Sequence, residues 1–308
     1  MKRKRVLGLA AAGALLLSAL CYDSSVWRRE GGIVNGVRNA SERISDEIAN
    51  RNYSAFYRKG FPFNEADFFL SKNLNPHEFL NMFSDSEKRN TNLEDLANQS
   101  GSLINKNGAF FGNAFVVPNE NSKNEYFFFA SNHQFKKPRA GLVQGDVGWH
   151  MSADFDGSTR IYLNPKFFTG DLNPEDSYLS VKKKLISSEK QDLLIGLCEG
   201  PEAKVQDFYL DTNSKVGDKI YIIPSQHPKD FSSLRKSEIL DGRLEKISEP
   251  YVLTSILGNV GHSGSAIVNK NGHVVGIATN KLADIRGDSP IIGVRFPYLK
   301  EHLSSLKK

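Results

Sequence analysis

The sequence contains little cysteine, and this scarcity argues against a fold held together by disulfide bonds. Only Cys21 and Cys198 occur among the 308 residues. If Cys21 is removed with the N-terminal segment or acylated, no intramolecular disulfide can form in the mature chain. Stability must then come from a hydrophobic core, which a chain of this length can bury. This cysteine usage suits a bacterial exported protein better than a disulfide-rich animal protein.

The sequence also lacks a strong excess of one sign of charge beyond its first five residues. The formal net charge is +5, and residues 2–5 are all basic. The rest of the chain is nearly balanced, and it contains no Arg-rich stripe with interleaved aromatic residues. We therefore expect no nucleic-acid partner.

No apolar run in the sequence has the length of a typical membrane-spanning helix. The apolar run at the N-terminus covers residues 6–20 and follows the basic residues 2–5. A transmembrane helix needs about 20 apolar residues, whereas a shorter run after a basic stretch is typical of a signal peptide. Residues 1–21 are therefore predicted to be a signal peptide. The protein is expected to be exported, either to the periplasm or into the medium.

The end of this segment leaves the type of processing open. Small residues near its end, Ser18 and Ala19, favour cleavage after Ala19 or Cys21. Lipidation of Cys21 is an alternative, although Leu20 is a poor residue directly before a lipidated cysteine. Attachment to a membrane is expected only if Cys21 is lipidated or the signal peptide stays uncleaved.

Residues 22–102 carry helix signals and are predicted to form a helical N-terminal extension. Ser41 can cap a helix in which Ile44 and Ile48 have helical spacing. Residues 64–70 and 76–83 are predicted to be short helices with aromatic faces. Two interpretations remain open: an extension packed on the main domain, and a pro-segment or partner-docking arm.

Residues 103–308 are predicted to form a mainly β domain. Short apolar runs alternate there with Gly, Asn, Asp and Pro, a pattern typical of a sandwich or of paired barrels. Residues 269–272 end in Asn-Gly and predict a hairpin turn between two strands. At the C-terminus, residues 297–306 place leucines on one face of a closing helix.

The segment from Gly261 to Gly264 has the features of a serine nucleophile loop. A serine nucleophile needs a tight turn that exposes its hydroxyl and points backbone N–H groups at the developing oxyanion. Glycine beside the serine permits this close backbone approach. Ser263 is therefore predicted to be the nucleophile, and the amides of Gly261 and Ser263 are predicted to form the oxyanion hole. Taken alone, such a pattern is also common in ordinary turns.

A histidine follows one of the predicted buried strands. The apolar residues 126–130 lead through Ser131 and Asn132 to His133. A general base must be held by the scaffold at a strand end and yet be open to a cleft. His133 is therefore predicted to be the general base. A single histidine in such a place is more often structural, so this prediction depends on its partners.

Asp192 opens a third informative segment, because the apolar residues 193–197 follow it directly. An aspartate at the start of a buried strand is drawn into a partly buried environment and needs a hydrogen-bond donor there. The imidazole N–H of His133 is a suitable donor. Asp192 is therefore predicted to orient the histidine. Asp176 and Asp207 are alternatives, but neither is followed by such a strand.

These three segments together resemble the chymotrypsin-like serine peptidases, especially the bacterial HtrA-like and glutamyl-endopeptidase-like members. The chain order His133, Asp192, Ser263 is the order of that family, and the resemblance covers roughly residues 103–300. It implies a mainly β fold of two six-stranded antiparallel barrels, flanked by the N-terminal helical extension and the C-terminal helix. It also implies a protein or peptide substrate, with these substrate-binding residues: Leu257, Ala278, Thr279 and Asn280.

Other classes of function fit the sequence less well. Metal binding is not expected, because His150 near Asp154 and Asp156 has no second histidine or cysteine at ligand spacing. No cofactor is expected either. The remaining histidines lie in polar or turn contexts and are expected to be solvated: His77, His227, His273 and His302.

Two other functions compete with the peptidase. An α/β-hydrolase esterase is not expected, because the 45 residues after Ser263 are too few for the strands and helices that carry the acid and the histidine in that fold. A catalytically silent binding protein of the same fold at the cell surface remains the alternative. It is favoured by His262, which stands where the family usually has Asp or Asn.

Overall fold

The computed structural model describes the parts of the chain that surround the predicted site. The described residues are 68–70, 91–119, 122–135, 154–188, 191–204, 209–211, 213–225, 238–258, 261–279, 289–297 and 299–300. All of them belong to one compact unit, residues 59–308. The predicted signal peptide and most of the predicted N-terminal extension lie outside the described residues.

The first half of the described chain forms a closed antiparallel barrel. Its ring order is β6-β5-β2-β3-β4-β7, and pairing of β6 with β7 closes it. A further short strand, β1, pairs with β6 outside the ring. The strands are β1 Phe68–Leu70, β2 Ser100–Ile104, β3 Phe110–Asn119, β4 Ser122–Ser131, β5 Arg160–Tyr162, β6 Tyr178–Ser188 and β7 Leu193–Glu199.

The second half forms another closed antiparallel barrel of six strands. Its ring order is β10-β13-β12-β11-β8-β9, closed by pairing of β9 with β10. The strands are β8 Lys219–Ile223, β9 Leu240–Ser248, β10 Tyr251–Gly258, β11 Ala266–Asn269, β12 Val274–Ala278 and β13 Ser289–Arg295. The predicted mainly β fold with two six-stranded antiparallel barrels is thereby confirmed.

The helices of the described residues are short. Helix α1, Leu93–Asn98, begins at Asn92, whose side chain accepts the Glu94 N–H at 3.0 Å and caps the helix. Of the predicted C-terminal helix only the beginning is described, and residues 299–300 are helical. No helix among the described residues is long and apolar enough to span a membrane.

The interior of the first barrel explains its aromatic sequence. Side chains alternate along a strand, so Phe128 and Ala130 point into the barrel core together with the buried thiol of Cys198. Phe129 faces the other way and packs against Phe296, with ring centroids 4.8 Å apart. The run at residues 126–130 is therefore buried on both faces. Gly196 leaves room for Phe128, because a Cβ there would lie 2.4 Å from its ring.

The interior of the second barrel is aliphatic rather than aromatic. Ile220 and Ile222 alternate inward from β8 and are fully buried. They share one core cluster with Ile267 of β11 and Val275 of β12. Because each barrel has its own core cluster, polar groups can occupy the space where the two barrels meet.

The predicted hairpin between β11 and β12 is confirmed. The Asn269 N–H donates to the His273 carbonyl at 2.9 Å, and Gly272 adopts a φ of 78°. The Asn269 side chain also accepts from the backbone N–H groups of Asn271 and His273. The side chain of Asn269 and the left-handed backbone of Gly272 therefore close the turn, as the sequence indicates.

Two local predictions are wrong. Residues 68–70 form strand β1 instead of helix, because they pair with residues 186–188 at the end of β6. His273 is buried instead of solvated, since Leu210 bridges Val274 and brings Tyr209 against the His273 ring at 5.8 Å. Tertiary contacts decide both cases. The other histidines predicted to be solvated, His77, His227 and His302, lie outside the described residues.

Candidate functional site

His133 and Asp192 meet at one end of the first barrel. β4 ends at Ser131, a 3₁₀ turn over Asn132–Phe135 follows, and Asp192 directly precedes β7. Because β4 and β7 pair with Ser131 opposite Leu193, the turn and the aspartate are neighbours in space. His133 Nδ1 lies 2.7 Å from Asp192 Oδ2. The backbone N–H of His133 also donates to Asp192 Oδ1 at 2.9 Å.

Burial differs sharply between the two partners. The side chain of Asp192 is 2% exposed and that of His133 is 44% exposed. A buried carboxylate needs donors, and His133 supplies two of them. Because an ionised carboxylate can only accept, Nδ1 is the ring nitrogen that carries the proton. In the neutral ring, Nε2 is then left as an acceptor.

The backbone of Asp192 has an uncommon conformation. Its φ is 58°, and it is the one non-glycine residue with positive φ among the residues described. Aspartate tolerates this left-handed conformation better than most residues do. The Asn132 N–H donates to the Asp192 carbonyl at 3.0 Å and helps to hold it. Two backbone N–H groups of the turn therefore bond to Asp192: that of Asn132 to its carbonyl and that of His133 to its carboxylate.

Ser263 lies in the second barrel, in the loop between β10 and β11. Its side chain is nearly buried, at 5% exposure for the residue. The hydroxyl donates to the Thr279 carbonyl at 3.3 Å, so the structure pairs Ser263 with Thr279 and not with the His133 ring. This hydrogen bond is longer than the usual range for an O–H donor, about 2.5 to 3.0 Å.

The two barrels meet beside this loop through polar contacts. Ser131, at the end of β4, donates its hydroxyl to the Ala278 carbonyl at 3.1 Å. Gln134, next to His133, donates its side-chain amide to the Ser263 carbonyl at 2.9 Å. The turn that carries His133 and the loop that carries Ser263 therefore face each other across the seam between the barrels.

Two backbone N–H groups of the Ser263 loop have no acceptor among the described residues. The His262 carbonyl accepts the Ser265 N–H at 3.1 Å. Because the N–H and C=O of a trans peptide point in opposite directions, the Ser263 N–H faces away from Ser265. Neither the Ser263 nor the Gly261 N–H donates to another residue of the described chain. These are the two amides predicted to bind an oxyanion.

The loop also depends on glycine at a specific position. Gly264 has a φ of 88°, and a Cβ built on it would lie 1.8 Å from the Asn113 carbonyl oxygen. Its N–H donates to the Ala278 carbonyl at 2.7 Å. The backbone of the first barrel at Asn113 and the Ser263 loop of the second barrel approach so closely that only glycine fits at position 264.

Replacing Gly264 with alanine is expected to lower the free energy of unfolding by about 3 to 5 kcal/mol, since positive φ and a clash with backbone act together. Gly108→Ala is the matched control: Gly108 has a φ of 77°, but a Cβ there meets nothing within 4 Å. The control should lose about 1 to 2 kcal/mol. Denaturant unfolding of both variants checks this, and equal losses would contradict the close approach at Gly264.

The four predicted substrate-binding residues lie in different environments. Leu257, near the end of β10, is 56% exposed. Ala278 and Thr279 are buried, and the Thr279 hydroxyl donates to the Ile292 carbonyl at 3.3 Å. They therefore contact the Ser263 loop through their carbonyl groups rather than their side chains. Asn280 lies outside the described residues.

His262, the departure from the family pattern, is half-buried beside Ser263. Burial lowers the pKa of His262, and the charge of Glu238 acts in the opposite direction. The net lowering keeps its imidazole neutral at neutral pH. The residue therefore adds no positive charge to the nucleophile loop under those conditions.

The other predictions about the site can be located in part. Asp176 is exposed in the turn before β6, whereas Asp207 and His150 lie outside the described residues. Asp156 accepts hydrogen bonds from Ser158, which lower the pKa of Asp156. Within the described ranges, no group of three or more His, Cys, Asp or Glu side chains is placed to hold a metal ion.

Two residues of the site, Asn113 and Gln134, were not predicted from the sequence. Asn113 donates its N–H to the Ser263 carbonyl at 2.8 Å and its side-chain amide to the Gly261 carbonyl. Gln134 donates to the same Ser263 carbonyl. No spacing pattern indicates either residue, although Gln134 directly follows His133.

The two closed six-stranded barrels fit a chymotrypsin-like fold. No protein-family model matches the sequence, and no curated protein matches it either. The resemblance therefore rests on the architecture and on the residues at the seam between the barrels.

Proposed function

We propose that the protein is an exported serine endopeptidase that cleaves peptide bonds in a protein or peptide substrate. The observation that carries the proposal is the 2.7 Å contact between His133 Nδ1 and the buried Asp192 carboxylate, on the side of the seam that faces Ser263. Residues 1–21 direct export in this proposal. Leu257, Ala278, Thr279 and Asn280 are proposed to contact the substrate.

The proposed reaction is acyl transfer through Ser263. His133 Nε2 takes the hydroxyl proton as Ser263 Oγ attacks the carbonyl carbon of the scissile peptide. The N–H groups of Gly261 and Ser263 donate to the resulting oxyanion. When the intermediate collapses, the C–N bond breaks, the amine takes the proton from His133, and an acyl-enzyme remains. Water then attacks with His133 as base, and the acid leaves as Ser263 regains its proton.

The Ser263 hydroxyl must change its hydrogen-bond partner for this reaction. Ser263 Oγ donates to the Thr279 carbonyl and has to release it before donating to His133. A neutral hydrogen bond contributes only about 1 kcal/mol net. Catalytic hydrogen bonds are also commonly completed only when the substrate is bound.

A second candidate function is a silent binding protein of the same fold. The hydrogen bond of Ser263 to Thr279, in place of one to His133, is the observation that favours it. A silent protein would fold in the same way and bind its partner without forming an acyl-enzyme. The two functions therefore differ in the reactivity of Ser263.

Treatment of the full chain with a fluorophosphonate probe tests the proposal. The probe forms a stable phosphonyl adduct only with an activated serine, and peptide mapping locates the adduct. We expect a single adduct on Ser263, together with cleavage of casein. Ser265→Ala is the matched control, because the Ser265 hydroxyl is fully buried two residues away and should not react. A folded protein that takes no probe would favour the silent binding protein.

A further inference from the structure

The side chain of Gln134 joins the two halves of the candidate site. Its Oε1 accepts the Ser131 N–H at 2.9 Å, and its Nε2 donates to the Ser263 carbonyl at 2.9 Å. Nε2 also lies 3.3 Å from the Asn113 carbonyl oxygen. Ser131 and Gln134 flank His133 in the chain. One amide group therefore connects the turn of His133 to the backbone of Ser263.

The fold makes dedicated space for this amide. Gln134 is only 3% exposed. A Cβ at Gly112 would lie 1.9 Å from Gln134 Nε2, so glycine at that position is what admits the side chain. A buried amide that satisfies both of its ends fixes the groups it binds, because no water is there to replace it.

The peptide that links Ser263 to Gly264 is held from both barrels. Its carbonyl accepts from Asn113 N–H and Gln134 Nε2, both of the first barrel, and its N–H donates to Ala278 of the second barrel. The preceding peptide is held by the bond between the His262 carbonyl and the Ser265 N–H. With both flanking peptide planes fixed, φ and ψ of Ser263 are fixed, and so are the directions of its Cβ and N–H.

We propose that Gln134 is a positioning residue. It holds the Ser263 side chain and the Ser263 backbone N–H in the position and orientation that the reaction with His133 requires. The inference rests on the proposed serine peptidase function. Gln134 does not touch the substrate or the reacting atoms. It acts through the Ser263 carbonyl on one side and the Ser131 N–H on the other.

Gln134→Met tests this inference, because methionine has a similar volume but lacks both polar ends. We expect the rate of fluorophosphonate labelling and kcat for casein-derived peptides to fall about 10- to 100-fold, because small misplacements of reacting groups have effects of this size. KM should stay within about 3-fold, because the change affects positioning and not uniform substrate binding. Gln99→Met is the matched control, since Gln99 is fully buried and its amide has no hydrogen-bond partner among the described residues.

Gln134→Glu provides a second readout that a purely structural role would not change. The glutamate keeps an acceptor for Ser131, but as a carboxylate it faces two carbonyl oxygens without a donor. Burial among carbonyls favours the protonated acid, which can donate to Ser263 again. We therefore expect the ratio of variant to parent labelling rate to rise about 5-fold or more between pH 8 and pH 5.5, at temperatures where both are folded.

The outcomes separate this inference from the proposed function. A reactive parent with a Gln134→Met variant that is equally reactive, or that changes KM alone, overturns the positioning role and leaves the peptidase proposal standing. If Gln134→Met does not fold, a pH-independent ratio for Gln134→Glu overturns the inference. A parent that takes no probe overturns both proposals.

Discussion

Replacing Ser263 with alanine is expected to lower kcat for peptide cleavage by about 10⁶-fold and to abolish fluorophosphonate labelling. Removing the nucleophile of a serine peptidase costs about this much, because no other group can form the acyl-enzyme. The residual rate comes from binding and from the oxyanion amides, which the substitution leaves in place. Quantitative cleavage assays on purified parent and variant give the ratio.

The fold of this variant should be nearly unchanged. The Ser263 hydroxyl makes one long hydrogen bond, to Thr279, so its loss should change the free energy of unfolding by about 1 kcal/mol or less. Unfolding by denaturant checks this point. Cleavage by the folded variant at the rate of the parent would show that another group performs the chemistry.

Replacing Asp192 with asparagine is expected to lower kcat by about 10⁴-fold with little change in KM. The carboxylate accepts from His133 Nδ1 and from the His133 backbone N–H. An asparagine that turns its amide N–H toward Nδ1 makes Nδ1 the acceptor, so the ring carries its proton on Nε2. Nε2 then cannot take the proton of Ser263. A wrong tautomer of this kind accounts for a loss of about that size.

Asp176→Asn is the control for this substitution. Asp176 is exposed in a turn, so its amide variant should keep the parent's kcat. The two variants together distinguish Asp192 from Asp176 as the residue that orients His133. If Asp192→Asn keeps activity within about 10-fold of the parent, Asp192 is not the residue that orients the histidine.

The strands of this protein are largely predictable from local pattern. The apolar run at residues 126–130 lies within β4, and the run at 193–197 lies within β7. The hairpin at residues 269–272 follows from asparagine and glycine, which adopt the turn backbone at low cost. Such features depend on neighbours within a few residues, and a single sequence contains that information.

Other features escaped prediction because their causes lie far away in the chain. Residues 68–70 became a strand because the edge of β6, more than a hundred residues later, offers unpaired backbone groups. His273 is buried because the segment at 209–211 pairs in parallel with the start of β12. The Gln134 side chain donates to the carbonyl of Ser263, which lies in the other barrel. Propensity and periodicity do not contain these contacts.

The sequence by itself determined the mainly β character, the candidate residues His133, Asp192 and Ser263, and the order in which they occur. Backbone propensity, turn chemistry and the needs of nucleophilic chemistry are local properties that each short segment displays on its own. Only the tertiary structure decided that β4 and β7 pair, so that His133 contacts Asp192 at 2.7 Å. It alone also showed that Asn113 and Gln134 hold the Ser263 carbonyl across the seam. The physical reason is that long-range hydrogen bonds form where two closed barrels meet, and that meeting is a property of the packed cores rather than of any segment.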